Sequence, residues 1–134
     1  MTRRLELALG EPGKVAGLLT DACATIDDAA YAFVASRDGL VVASATASET
    51  PEDQVALRGS ALAAAAMGIG DHFAALSAHG RLQSTYFEAD RGCVGIFPIS
   101  SALMLVVGSD RSVNLGRLTA AAKRILAILQ APSE

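Results

Sequence analysis

Cysteine is scarce in this chain: its 134 residues hold two, Cys23 and Cys93, too far apart to make a CxxC pair. That rules out a dithiol redox motif and leaves no thiolate cluster for zinc. Basic residues are few and scattered, with eleven Lys and Arg against fourteen Asp and Glu and a net charge of -3. No window carries the concentrated Lys and Arg that phosphate-backbone binding demands, so no nucleic-acid partner is expected. Apolar stretches stop at an Arg, Asp, His or Gly before the ~20 residues a membrane span requires, and the first residues lack the apolar run of a signal peptide. With no membrane partner and two free thiols, a cytoplasmic setting is expected.

The motifs that mark enzymes are missing as well. There is no Walker A run, no HExxH, no GxSxG elbow, and no half-site that completes a dinucleotide fingerprint. Gly68-Ile69-Gly70 is half of such a fingerprint, but it falls late in a helix instead of after a strand. His72 and His79 lie near Asp71 with no thiolate beside them, and solvated surface histidines are the simpler reading. Cys93 opens an apolar strand and Cys23 borders a buried helical stripe, the setting of inert core thiols. The charged tip Glu88, Asp90 and Arg91 reads as protection of a hairpin edge. No catalytic, cofactor-binding or metal-binding residue is nominated, and no enzymatic activity is expected.

What is abundant is apolar material. The hydrophobic fraction is 51%, charged residues make up 19%, and mean hydropathy is +0.38. One core suits a chain of this length, and so much apolar content is uncomfortable in a monomer. Residues 1–10 read as an N-terminal arm, 11–130 as a single domain and 131–134 as a tail. From Pro12, a favoured first helical residue, Val15, Leu18, Leu19, Ala22 and Ile26 recur at helical spacing. Two short β-rich runs, 30–36 and 40–45, flank Arg37-Asp38-Gly39, where Asp-Gly supplies the positive φ of a tight hairpin. Thr50-Pro51-Glu52-Asp53 then sets a hydroxyl cap, a proline and a carboxylate at the start of a helix running to about Leu76. Strands follow over 82–89, 93–97 and 102–108. A last helix, capped by Ser112 or Asn114, buries Leu115, Leu118, Ala122, Ile125, Leu126 and Leu129. The predicted fold class is α/β (α+β): one five-stranded antiparallel sheet with helices on both faces. Strands 30–36, 93–97 and 102–108 are apolar on both faces and belong at its centre, with 82–89 at an edge.

The middle helix asks for a partner. Helical spacing sets Val55, Gly59, Leu62, Ala66, Ile69, Phe73 and Leu76 on one stripe, the bulky face expected against the sheet. Opposite lie Leu57, Ala61, Ala64, Gly68 and Ala75, and the flank with Gln54, Arg58 and His72 reads as wet. A helix apolar nearly all round is buried on more than one side, and one helix about 10 Å wide cannot cover five strands ~4.8 Å apart. A matching helix from a second copy would complete the layer, with the small-residue face as a two-fold contact.

Three pieces in order resemble the roadblock (dynein light-chain) family over about residues 14–130. They are the hairpin segment from Ala32 to Ser44, the alanine-rich middle helix, and Val106-Val107-Gly108 followed by Asn114-Leu115-Gly116-Arg117-Leu118. The resemblance implies a profilin-like three-layer domain with strand order 2-1-5-4-3. It also implies a homodimer joined through the middle helices and third strands, which adds Thr85 and Phe87 to the expected interface, and a partnership with a Ras-like GTPase. No cofactor is implied. Two other readings stay open: a dynein-type light-chain scaffold, and a small-molecule-sensing module, which would need a pocket lined by convergent polar groups.

Overall fold

The computed structural model describes residues 12–46 and 52–130. The arm 1–10, the expected cap Thr50-Pro51 and the tail 131–134 lie outside the described residues. In chain order come α1 (Pro12–Thr25), β1 (Tyr31–Ser36), β2 (Val41–Thr46), α2 (Glu52–Leu76), β3 (Thr85–Ala89), β4 (Gly92–Pro98), β5 (Leu103–Ser109) and α3 (Leu115–Gln130). The strands form one antiparallel sheet of order β2-β1-β5-β4-β3, so the three doubly apolar strands are the inner ones.

Period-2 alternation sorts the inner strands onto two cores. Val34, Phe97, Leu105 and Val107 face α1 and α3, meeting Val15, Leu19, Ala22 and Ile26 of the first helix and Leu118, Ala122, Ile125 and Leu129 of the last. Asn114 caps α3, its Oδ1 accepting the Arg117 N–H at 2.8 Å. Ser112, the other candidate cap, instead donates its hydroxyl to Glu88 at 2.7 Å. Leu115 departs from the expected buried stripe: it is the first residue of α3 and is 42% exposed. Asp28, after α1, accepts from Arg111 and Arg117 at 2.8 and 2.9 Å and so ties the first helix to the start of the last.

On the other face Phe33, Ala35, Ile96, Met104 and Val106 meet α2. Here the sequence expectation is overturned. The buried side of α2 on the sheet is Ala56, Ser60, Ala63 and Met67; of the stripe assigned to the core, Val55, Gly59 and Ala66 are half-buried at its margin, while the bulky remainder stands out. Leu62 is 72%, Ile69 67%, Phe73 67% and Leu76 75% exposed. The cause is size matching: with Phe33, Ile96 and Met104 filling the gap from the sheet side, the helix approaches mainly on small residues, with Met67 as the bulky exception. Even Ser60 is tolerated there, because its Oγ donates to the Ala56 carbonyl at 2.6 Å.

Two turns fix α2 in place. In the β1–β2 hairpin Gly39 takes φ of 92°, donating its N–H to the Ser36 carbonyl at 2.9 Å. That hairpin rests on the helix, since a Cβ on Gly39 would stand 3.3 Å from the Ala61 Cα. Arg37 of the same turn pairs with Asp71 of α2. At the far end, His79 N–H bonds the Ala74 carbonyl at 2.9 Å and Ala78 N–H the Ala75 carbonyl at 3.2 Å, closing a Schellman motif with Ala78 at φ 57°. The third strand begins at Thr85 instead of 82 because Leu82 turns back onto Gly70 of α2.

Candidate functional site

Helix α2 packs mainly over β2 and β1 and reaches β3 more weakly, leaving part of the outer half of that sheet face uncovered among the described residues. The sheet register builds the floor. One cross-strand row runs Tyr31, Gly108, Val94, Phe87 and the next runs Phe33, Val106, Ile96, Thr85. Gly108 has no side chain, and the Tyr31 ring occupies the space a Cβ there would need. Tyr31 and Phe33 stack with centroids 6.4 Å apart. Against this floor stand Val55, Leu62, Ala66 and Ile69 of α2, enclosing a groove of about 540 Å³.

The groove is almost wholly apolar. Arg58 and Tyr31 are the two residues of its lining that carry a polar side-chain group. Burial pushes the Tyr31 phenol up from its ordinary value, and Asp110 adds to the shift, so the hydroxyl is neutral at physiological pH. Arg58, expected on the wet flank, is exposed and also borders the groove. Beyond the groove β3 is a sheet edge of five residues, with Phe87 at its midpoint 51% exposed. Among the described residues this is an apolar trough beside an unpaired strand edge, a geometry in which an added polypeptide could make backbone hydrogen bonds and fill the trough at once.

The seven residues expected at an interface do not form one patch. Thr85 and Phe87 project onto the groove side of the sheet from β3. Leu57, Ala61, Ala64, Gly68 and Ala75 share the opposite flank of α2, beside the β1–β2 hairpin. Leu57 is 65% exposed, Ala61, Gly68 and Ala75 are exposed, and Ala64 is half-buried beneath Gly39. The residues the sequence reading missed are Leu62, Ile69, Phe73 and Leu76, which it sent to the core. The signal that could have found them was the excess of bulk: a heavy stripe and a heavy sheet face cannot fit one interlayer gap. His72 and His79 are exposed, and no group of three or more metal-binding side chains occurs among the described residues. Neither is any described helix long and apolar enough to cross a membrane.

The Roadblock/LC7 domain family model matches residues 15–109. No curated protein matches the sequence. Among solved structures, MglB of Myxococcus xanthus is similar at 18% identity and a TM-score of 0.73, over 90% of this chain and 87% of that one. The gliding protein MglB of Thermus thermophilus is similar at 22% identity and TM-score 0.74, over 90% of each chain. A Roadblock/LC7 domain from Streptomyces avermitilis aligns at 18% identity and TM-score 0.70, over 83% of this chain and 90% of that one. At these identities the likeness concerns the fold.

Proposed function

Because the chain belongs to the Roadblock/LC7 family, we propose that it is a non-enzymatic adaptor or regulator of a Ras-like small GTPase and that it works as a homodimer. The observation that carries this reading is the half-covered sheet face. Leu62, Ile69 and Phe87 line one apolar groove and are each at least half exposed, and Phe73 and Leu76 are exposed further along the same stripe of α2. Fully burying a side chain of this kind is worth about 1.5–3 kcal/mol, so a monomer forgoes a large gain. A second copy offers the same bulky stripe and the same β3 edge, which suits an isologous contact. We therefore assign Thr85 and Phe87, with the bulky stripe of α2, to the two-fold contact. The small flank carrying Leu57, Ala61, Ala64, Gly68 and Ala75 faces away from it.

The sensing alternative fares less well on the same groove. A small-molecule pocket needs several convergent polar groups to orient its ligand, and Arg58 and Tyr31 are the two polar residues in the lining. Two measurements test the proposal. Sedimentation velocity at micromolar concentration should show a dimer. Nucleotide hydrolysis or exchange by a Ras-like GTPase from the same genome should change when the chain is added. A monomer in the first, or no complex and no kinetic change with any such GTPase in the second, would overturn the corresponding half.

A further inference from the structure

We draw no further inference here: the strongest candidate, the exposed flank of α2 beside the β1–β2 hairpin with Leu40, Leu57, Ala61 and Gly68, carries nothing because nothing in the structure shows what covers it.

Discussion

Ala78 holds a backbone conformation that glycine adopts far more cheaply. Its φ of 57° serves the Schellman closure of α2, and a Cβ in that left-handed region costs about 1 kcal/mol. Ala78→Gly should therefore raise stability by about 0.5–1 kcal/mol, read as a higher midpoint in urea with an unchanged slope. A lower midpoint would mean that the extra freedom of the unfolded glycine outweighs the relieved strain. The cysteines make a second case at this scale. Cys23 is 4% exposed, and burial pushes its thiol up to about 11; Cys93 is 6% exposed. Little thiolate is present at Cys23 near neutrality, and neither sulfur is accessible. Native protein at pH 7.5 should leave both thiols unlabelled by a disulfide-exchange reagent over minutes, and unfolded protein should titrate two. Rapid labelling of the native chain would contradict the core assignment. That assignment was legible in the sequence, because each cysteine borders an apolar stripe. The left-handed Ala78 was not: no propensity places alanine there, and it is the helix-closing bonds of Ala78 and His79 that accompany it.

Among the elements, the join between α1 and α3 depends on one carboxylate. Asp28 is held below the ordinary carboxylate range, first by its hydrogen bond from Arg111; burial, the next cause, opposes this, and the charges of Arg117 and Arg111 and the hydrogen bond from Arg117 restore the downward shift. A depressed folded value means stabilisation that is complete above the unfolded pKa of about 3.9 and is lost as pH falls through the folded value. Asp28→Asn should be less stable than the parent at pH 7, and the two should converge in chemical denaturation as the pH is taken below about 4. A gap that persists unchanged in acid would mean the loss is one of shape and not of charge. Most elements were readable from pattern: the inner strands from their double apolarity, the β1–β2 hairpin from Asp38-Gly39, and α3 from Asn114 and its stripe. The orientation of α2 was not. Hydrophobic periodicity ranks faces by bulk, whereas the face that packs is chosen by what the sheet presents, and Phe33 and Met104 left room for alanine. The consequence can be tested within one helix. Leu62→Asp, at a site 72% exposed, should change the stability of the isolated fold by no more than about 0.5 kcal/mol while disrupting self-association. Ala64→Glu, beneath the Gly39 turn, should instead destabilise the fold itself by about 1–3 kcal/mol through overpacking. Thermal melts and sedimentation of both variants separate the two effects. If Ala64→Glu melts like the parent and Leu62→Asp stays dimeric, the faces of α2 are exchanged.

For the whole molecule, the proposed regulation would be exerted on the nucleotide site of a separate GTPase, since no Walker A run occurs in this sequence. Any change in hydrolysis would act through the partner's P-loop, by positioning its switch elements or its water. A dimer adds something a monomer lacks: one rigid surface spanning two copies, whose cost of ordering is paid in folding and not again on binding. A stable two-fold contact buries about 1,600 Å² in all, so a charge placed at its centre is enough to remove it while each fold survives. Leu62→Asp therefore serves as the instrument. The variant should keep the parent's circular dichroism, sediment as a monomer, and lose most of the parent's effect on GTP hydrolysis by the cognate GTPase. The parent alone should show no tight GTP binding in calorimetry. Should the monomeric variant act on the GTPase as strongly as the parent, then a single copy is the working unit, and the exposed stripe of α2 serves assembly without serving regulation.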